Sequence, residues 1–319
     1  MKAGDNRWSD FPDYILGITK EIWEDRGLGP KMREYYHKDC VIRTPAGVAI
    51  GEAGMTEVTV ATLNAVPDRQ LLGEDVIWSG DVENGLLSSH RIYSTATHLG
   101  HGPFGPPSGK KLVYRGLADC YAKDGQISDE WLVRDNGAVV RQIGSDPETW
   151  ARGLVEAGKA GAPLTEDNDV EGPYLGTGND DLNGAKLANI LTRVFETDLS
   201  VIGETYDRAA ELNYSGGVSA RGPAGADAHW LPLRASFPGA TFKIHHTIGR
   251  DDPDMPPRAA VRWSLAGTHD GPGPFGAPTG APVYILGITH AEFGPWGLRR
   301  EWTYYDEVAV WTQIVMGGG

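Results

Sequence analysis

Two aspartates and two histidines recur at equivalent places in the two halves of the sequence, and their side chains are able to move protons. Asp135 and Asp306 each follow a Glu-Trp pair, and His98 and His269 each stand between a threonine and a glycine-rich stretch. An aspartate withdrawn from water has a raised pKa and can carry a proton near neutral pH, and a neutral imidazole can assist the transfer. These four residues are the candidate catalytic groups. The structural alternatives are that each aspartate caps the turn after its strand and that each histidine ties its turn to a neighbouring strand.

Aromatic side chains accompany the candidate aspartates. Because alternate residues of an extended strand share a face, Trp302 and Tyr304 should lie beside Asp306, and Trp131 beside Asp135. We expect this face to line a concave pocket in which the carboxyl groups lose contact with water. Ten tryptophans and twelve tyrosines are consistent with a flat or aromatic ligand, although ordinary core packing accounts for several of them. The candidate substrate-binding residues are Trp302, Tyr304, Trp131, Trp263, Tyr284 and His290.

Two arginines on the same predicted strands fit a structural role better. Arg91 and Arg262 fall on the strand face opposite the motif histidines. Salt bridges with Glu130 and Glu301 on adjacent strands are therefore their expected contacts.

Metal binding and cysteine chemistry are not expected. His245 and His246 are adjacent on a predicted strand and point to opposite faces, so at most one of them can join His290, whereas a metal site needs three or more converging ligands. Cys40 and Cys120 fit neither a disulfide framework nor a zinc site and are expected to be buried thiols. The sequence also lacks a Walker loop, a dinucleotide fingerprint and a Gly-x-Ser-x-Gly elbow. No metal and no cofactor are predicted.

The sequence contains an internal duplication. The residues Thr97, His98, Gly100, Phe104, Gly105, Pro107 and Gly109 recur 171 positions later as Thr268, His269, Gly271, Phe275, Gly276, Pro278 and Gly280. The same offset carries Glu130-Trp131 onto Glu301-Trp302. So many matches in one register indicate two copies of one unit. Upstream, Pro45-Ala46-Gly47 matches Pro223-Ala224-Gly225 at an offset of 178, which predicts a loop that differs in length between the copies.

Both copies have the same predicted order of elements. Apolar residues at helical spacing predict short helices within about 14–38 and 189–212. Strands are predicted over 70–78, 86–97, 111–121 and 126–134, and over 241–248, 259–268, 282–291 and 297–305. This order defines an α+β class with two tandem cone-shaped barrel domains, each a curved antiparallel sheet wrapped around a pocket and packed on N-terminal helices. The predicted domains are 1–144 and 185–319, joined by a linker over 145–184 that carries one helix near 147–160.

Composition limits the class of partner. With 40% hydrophobic and 23% charged residues the chain is typical of globular proteins. No apolar run approaches the roughly 18 residues of a membrane span, and the first residues lack the layout of a signal peptide, so a cytoplasmic location is expected. A net charge of -14 argues against nucleic acid and membrane surfaces as partners. A small neutral or weakly polar molecule is the expected ligand.

The repeated motif forms a pattern that spans most of both halves and leaves out the linker. In the second half it is Gly267-Thr268-His269-Asp270-Gly271, then Phe275-Gly276-Ala277-Pro278-Thr279-Gly280, then Glu301-Trp302 with Asp306, then Gln313-Ile314. The first half departs from it only mildly, with Ala96 for glycine and Ser108 for threonine. This pattern resembles the SnoaL-like polyketide cyclases of the nuclear transport factor two-like superfamily. The resemblance implies an aldol cyclisation by acid/base catalysis without metal or cofactor, in which Asp135 and Asp306 carry the proton and His98 and His269 are the motif histidines.

The sequence therefore predicts a cofactor-independent acid/base enzyme for an aromatic or polyketide-like small molecule, acting as an aldol-type cyclase, a retro-aldol lyase or an isomerase. One alternative is a non-catalytic protein that binds a hydrophobic small molecule. In another, the two halves form an intramolecular pseudo-dimer with one copy as scaffold, and a homo-oligomer is also compatible with the sequence. The second half carries the fuller motif and more ionisable groups, so we expect it to be the active copy.

Overall fold

A computed structural model describes residues 6–318, and residues 1–5 and 319, at the outer ends of the predicted domains, lie outside the described residues. The first half comprises α1 (Phe11–Thr19), a π-helical turn (Lys20–Glu24), α2 (Pro30–Tyr35), β1 (Tyr36–Thr44), β2 (Gly47–Ile50), α3 (Glu52–Ala65), β3 (Gln70–Asp81), β4 (Gly85–Thr97), β5 (Lys111–Lys123), β6 (Gln126–Arg134) and α4 (Asn136–Ile143). Next comes α5 (Pro147–Glu156), within the predicted linker. The second half comprises α6 (Leu182–Phe195), α7 (Ser200–Thr205), β7 (Tyr206–Tyr214), β8 (Val218–Arg221), α8 (Gly222–Ser236), β9 (Thr241–Arg250), β10 (Arg258–Thr268), β11 (Pro282–Gly294), β12 (Gly297–Tyr305) and α9 (Glu307–Gly317).

Each half is built on one six-stranded sheet, and the two sheets have the same strand order. The orders are β2-β1-β6-β5-β4-β3 and β8-β7-β12-β11-β10-β9. Neighbouring strands are antiparallel except for β1 with β6 and β7 with β12, which are parallel. Each sheet was predicted to be antiparallel but is mixed. β1 and β7 each follow a helix and lie parallel to the last strand of their half. The two-domain α+β architecture predicted from the duplication is confirmed.

The boundary between helix and strand differs from the prediction near the start of each half. β1 begins at Tyr36, inside the segment expected to be helical up to residue 38. Polar residues at 37–39 interrupt the apolar pattern, and only the burial of Cys40–Arg43 beside β6 marks the strand. The offset of 178 is also a chance match, since Pro45-Ala46-Gly47 spans the β1–β2 turn whereas Pro223-Ala224-Gly225 lies in the first turn of α8.

Each sheet has an inner face, covered by the helices of its own half, and an outer face. Register shifts between Gly73 and Asp75 in β3 and between Tyr121 and Ala122 in β5 mark irregularities that bend the first sheet. The two outer faces pack against each other. This contact is made by Ile77, Leu87, Leu117, Tyr121, Trp131 and Val133 of the first half and by Ile248, Ala260, Leu286, Ile288, Trp302 and Tyr304 of the second.

Charged residues cross this contact between the outer faces. The Arg91 guanidinium lies 3.5 Å from the ring centroid of Trp302, and the Arg262 guanidinium lies 3.6 Å from that of Trp131. Arg262 also donates to Asp119 Oδ2 at 2.7 Å. Two cation–π pairs related by the duplication therefore join the halves.

The predicted arginine–glutamate pairs are wrong. Arg91 pairs with Glu74 at 2.9 Å, and Arg262 pairs with an aspartate of the other half. Glu130 and Glu301 are each followed by a tryptophan whose side chain lies on the outer face. Because adjacent residues on a strand point to opposite sides, the two glutamates project from the inner faces. The arginines lie on the outer faces and cannot reach them.

The segment between the halves lies along the contact of the outer faces and is fixed there. The backbone N–H of Tyr174 donates to Asp129 Oδ2 at 2.8 Å, and the Tyr174 hydroxyl lies 2.6 Å from His246 Nε2. Leu164 is buried in the same cluster. Within residues 6–318, no helix combines the length and apolar character needed to cross a membrane.

Candidate functional site

A cavity of about 400 Å³ lies between the helices of the first half and the inner face of its sheet. Its wall is mainly aliphatic and aromatic, and includes Ile15, Ile18, Ile22, Trp23, Ile42, Met55, Val58, Ile92, Ala118, Ile127 and Leu132. The polar side chains on the wall are Thr19, Tyr36, Thr44, Thr59, Arg69, His90, Ser94, Tyr114, Glu130 and Arg134. A mostly apolar hollow of this size with a few polar groups is typical of a small-molecule site.

Strand parity places the polar groups on one wall. Glu130 and Arg134 are separated by an even number of residues on β6, and His90 points the same way from β4. Between them, β5 contributes Gly116, which pairs with both Arg134 and Ile92. Because Gly116 has no side chain, the middle of this wall stays open.

Glu130 is a buried carboxyl group that one hydroxyl holds in place. The Tyr36 hydroxyl donates to Glu130 Oε2 at 2.7 Å. Burial raises the pKa of Glu130, although the hydrogen bond from Tyr36 and the charge of Arg134 act in the opposite direction. Burial and the nearby carboxylate also raise the pKa of Tyr36 well above its usual range, so its hydroxyl stays a donor.

His90 supplies a neutral imidazole to the same cavity. Its Nδ1 lies 3.2 Å from the Ser88 hydroxyl oxygen, and burial lowers the pKa of His90 to about 4. The ring is therefore uncharged at neutral pH. His90 and Glu130 are two strands apart across β5, which corresponds to a lateral separation of about 10 Å.

The corresponding space in the second half is filled by aromatic rings. Phe195 stacks on Phe242 with centroids 4.2 Å apart, and Trp263 lies 5.7 Å from Phe195. The Trp263 indole N–H donates to Thr289 Oγ1 at 3.0 Å, which fixes the ring. At the offset of 171, the first-half cavity residues Arg69, His90, Ile92, Ser94, Tyr114 and Arg134 correspond to Ala240, Val261, Trp263, Leu265, Ile285 and Tyr305.

The cavity thus lies in the first half and not in the second, which the sequence favours as the active copy. The motif that the second half carries more fully lies in turns and on the outer strand face. The inner face of its sheet keeps Glu301 but has Ala240, Val261 and Tyr305 where the first half has Arg69, His90 and Arg134.

Asp135 lies at the junction of the two halves. It caps α4 by accepting from the Ala138 N–H at 3.1 Å, and it accepts from the N–H groups of Gly216 at 2.7 Å and Gly217 at 2.9 Å in the other half. Burial, with the like charge of Glu307 adding to it, raises the pKa of Asp135 to about 7 in spite of these hydrogen bonds. Asp135 is not among the residues that line the cavity.

Asp306 caps α9 and faces a second hollow. It accepts from the Val308 N–H at 3.0 Å, and the Asn136 side-chain amide of the first half donates to it at 2.6 Å. Burial raises the pKa of Asp306 to about 6. The hollow it lines, of about 320 Å³, shares Thr44, Ala46, Val58, Leu132 and Arg134 with the first-half cavity. Asp306 therefore stands near the mouth of that cavity.

The two motif histidines lie in the turns after β4 and β10. His98 Nδ1 is 3.1 Å from the Ser108 hydroxyl, and His269 Nδ1 is 3.2 Å from the Thr279 hydroxyl. The Nε2 atom of each ring is buried without a hydrogen-bond partner among the described residues. Neither histidine lines the first-half cavity, and their contacts match the structural alternative in which they tie the glycine-rich turn.

The predicted substrate-binding residues are brought together only in part. Trp131, Trp302 and Tyr304 share one strand face as predicted, but that face is the outer one, packed between the halves. Trp263 lies in the filled cone of the second half, and Tyr284 lines a shallow hollow together with residues 163–167.

The three second-half histidines, His245, His246 and His290, each form hydrogen bonds with different partners. His290 bonds to Ser89 at 2.8 Å and accepts from Arg91 at 3.2 Å, and His245 lies 2.8 Å from the Ser264 hydroxyl. Among the described residues, no group of three His, Cys, Asp or Glu side chains is placed to hold a metal ion. Cys40 and Cys120 are buried free thiols, as predicted.

Sequence reasoning missed the groups that do line the cavity, namely Tyr36, Arg69, His90, Glu130 and Arg134. One signal was available in the duplication. Where a polar residue of one copy is apolar in the other at the same register, the difference indicates a position that the fold itself does not require.

A curled sheet with helices over one face, present twice and hollow once, defines a cone-shaped α+β domain protein of the small-molecule-binding type. The sequence pattern of the SnoaL-like polyketide cyclase family matches residues 14–143 and 185–314. The chain therefore belongs to this family, with one family domain in each half.

Solved structures similar to this chain are single-domain proteins that align with one half. IdmH from Streptomyces antibioticus, titled a candidate polyketide cyclase, is 27% identical over 41% of this chain and 96% of its own, with a TM-score of 0.36. A structure described as a SnoaL-like polyketide cyclase, from Jannaschia sp. CCS1, is 19% identical over 43% of this chain and 96% of its own, with a TM-score of 0.36. One described as a polyketide cyclase, from Acidithiobacillus ferrooxidans, is 20% identical over 44% of this chain and 99% of its own, with a TM-score of 0.35. A search of curated proteins gave no match.

Proposed function

We propose that this protein is an acid/base enzyme that works without a cofactor on an aromatic or polyketide-like small molecule held in the first-half cavity. The observation that carries the proposal is the combination of a buried carboxyl group, Glu130, and a neutral imidazole, His90, on one wall of an apolar hollow. Membership of the SnoaL-like polyketide cyclases supports it. Aldol closure, retro-aldol cleavage and isomerisation all need a base for a C–H group and an acid for a carbonyl oxygen.

Glu130 is the proposed base. Its raised pKa brings the carboxyl group closer to the pH at which it can both take a proton from carbon and return it. The hydrogen bond from Tyr36 fixes the orientation of the carboxylate and leaves its other oxygen for the substrate. Apolar neighbours on the wall exclude water, which strengthens the interaction with a developing enolate.

His90 is the proposed partner at the carbonyl oxygen. The proposed role requires the tautomer of the neutral ring in which Nδ1 accepts from the Ser88 hydroxyl and the proton is on Nε2, where it can be donated to a substrate oxygen. Asp306 is kept in the proposal as an ionisable group at the mouth of the cavity. The roles that the family pattern assigns to Asp135, His98 and His269 stay predictions of the sequence.

The duplication supplies a matched test. We expect the wild-type protein to catalyse deuterium exchange at the carbon next to the carbonyl of 1-tetralone, followed by NMR in D2O. Glu130→Gln should slow this exchange by roughly 100-fold or more, because it removes the proton carrier. Glu301→Gln is the control, since Glu301 occupies the same register position and bonds to Tyr206 and Tyr214 within the filled cone.

The control separates chemistry from folding. Both variants disturb an equivalent buried hydrogen bond, so both should lower the unfolding temperature, but Glu301→Gln should keep its exchange rate within about threefold once folded. Equal rates for Glu130→Gln and the wild type would rule out Glu130 as the base.

A scaffolding role for the second half is favoured by its filled cone. The rings of Trp230, Trp263 and Phe237 are all buried there, and the outer face of this half supplies half of the contact with the first. In this arrangement the second half stands where a partner subunit would stand in a dimer. If 1-tetralone binds to the first half without exchange or turnover, the non-catalytic binding protein is the better description.

A further inference from the structure

Two arginines on the cavity wall of the first half, Arg69 and Arg134, form what we term the arginine pair. Among residues 6–318 neither guanidinium forms an ion pair with a carboxylate, and the Nε of Arg69 is buried with no hydrogen-bond partner. Arg134 lines both the cavity and the hollow at its mouth. The arginine pair therefore presents donors to the space where a ligand would lie.

Pairing is otherwise the rule for buried arginines in this protein. The pairs are Arg43 with Asp129 at 2.9 Å, Arg91 with Glu74 at 2.9 Å, Arg258 with Asp75 at 3.1 Å and Arg262 with Asp119 at 2.7 Å. Arg69 and Arg134 are half-buried rather than buried, but a charge partly withdrawn from water without an ionic partner still costs free energy, and an anionic ligand at the cavity wall would offset that cost. The cost is visible at Arg69, where burial and the like charge of Arg134 lower the pKa of the guanidinium, against the attraction of Tyr114.

The fold does not require these charges. At the offset of 171, Arg69 corresponds to Ala240 and Arg134 to Tyr305 in the filled cone. The helices and strands around both sets of positions are equivalent. The arginine pair is thus specific to the half that has a cavity.

The net charge of the cavity wall indicates the charge of the ligand that would balance it. Arg69 and Arg134 contribute two positive charges, and Glu130, when ionised, contributes one negative charge that acts on Arg134. One positive charge remains to be balanced, which fits a single carboxylate better than a phosphate dianion. Guanidinium groups bind carboxylates through paired hydrogen bonds, and the rest of the wall suits an aromatic body.

We propose that the arginine pair binds a carboxylate of the substrate, so that the first-half cavity takes an aromatic carboxylic acid rather than a neutral ketone or ester. This inference deepens the proposed function and rests on it for the cavity being the reaction site. It differs from the expectation of a neutral ligand, because the overall negative charge of the chain does not describe the local charge of the cavity.

The test compares ligands of one shape and different charge by isothermal titration calorimetry. The probes are 2-naphthoate, the neutral 2-naphthamide and 2-naphthyl phosphate. We expect 2-naphthoate to bind at least roughly tenfold more tightly than 2-naphthamide, since hydrogen bonds between charged groups are worth more than neutral ones. Equal affinity for the acid and the amide would overturn the proposal, and tightest binding of the phosphate would overturn the carboxylate assignment.

Variants of the arginine pair identify the site. Arg69→Gln and Arg134→Gln should each weaken 2-naphthoate by about tenfold and leave 2-naphthamide within about twofold. Arg299→Gln, at an exposed position of β12, changes the net charge equally and should have no effect. Arg134→Lys guards against misfolding, because it keeps the charge and should recover part of the affinity. Unchanged affinity for 2-naphthoate in both glutamine variants would contradict the assignment.

The outcome can be separated from that of the proposed function. Exchange of 1-tetralone needs no carboxylate, so exchange without a preference for 2-naphthoate would overturn only the arginine assignment. A clear preference for 2-naphthoate, together with binding of 1-tetralone that leads to no exchange, would support the anion site and contradict the acid/base chemistry.

Discussion

Asp135 shows that one sequence pattern is compatible with two different roles for an aspartate. Its position after the last strand predicted either a proton carrier or a helix cap. The structure shows the cap, with further N–H donors from Gly216 and Gly217 of the other half. The donors in the other half lie 81 and 82 positions along the chain from Asp135, so sequence spacing could not predict them.

The pKa of Asp135 makes stability depend on pH. The folded value is raised from about 3.8 to about 7, so the folded protein keeps a proton that the unfolded chain releases, and stability falls as pH rises between these values. We expect the free energy of unfolding to fall by about 2 kcal/mol between pH 5 and pH 7 relative to Asp135→Asn. Urea unfolding of both proteins across this range measures the difference.

Asp146→Asn is the control for this titration. Asp146 caps α5 at the surface, and its pKa is lowered, chiefly by hydrogen bonds from Thr149. Its contribution to stability is complete above the unfolded pKa, so the curves of this variant and the wild type should run parallel from pH 5 to pH 7. Parallel curves for Asp135→Asn would contradict the raised pKa.

At the scale of elements, strand-like sequence patterns predicted β3 to β6 and β9 to β12, with ends that differ from the observed ones by at most three residues. The strands β1, β2, β7 and β8 were not predicted. β2 and β8 have only four residues each, and β1 and β7 pair with strands that are distant in sequence and carry polar residues that mask the alternation. Strand parity also predicted which residues share a face. It could not tell the inner face from the outer one, since both carry aromatic and charged side chains, and the candidate pocket was therefore placed on the wrong side of β6 and β12.

The central strands offer a test of hollow against filled packing. A Cβ added at Gly287 would lie 2.1 Å from the Trp263 ring, whereas one added at Gly116 would meet nothing closer than 3.6 Å. Gly287→Ala should therefore lower the free energy of unfolding by about 1 to 3 kcal/mol, as overpacking does, and Gly116→Ala should change it by less than about 0.5 kcal/mol. Urea midpoints of the two variants give the comparison, and equal losses would show that the two cones are packed alike.

At the scale of the whole molecule, the duplication predicted the two-domain architecture, and the sequence between the copies predicted one helix near 147–160, where α5 lies. The way the halves face each other was not predictable, because it depends on arginine and tryptophan side chains whose partners lie in the other copy. Separating the halves would expose the apolar outer faces to water. It would also break the ion pair between Asp119 and Arg262 and leave each charge without its partner. The two halves are therefore expected to behave as one body in spite of the sequence between them.

The filled cone of the second half determines how many ligand molecules one chain can bind. In the second half the ring of Trp263 occupies the place that Ile92 leaves open in the first half. Native mass spectrometry in excess 2-naphthoate should show one adduct per polypeptide and none for Ile92→Trp, which transfers that ring to the open cone. Two adducts on the wild type would mean that both cones bind a ligand. The duplication would then have added a second binding site instead of a scaffold.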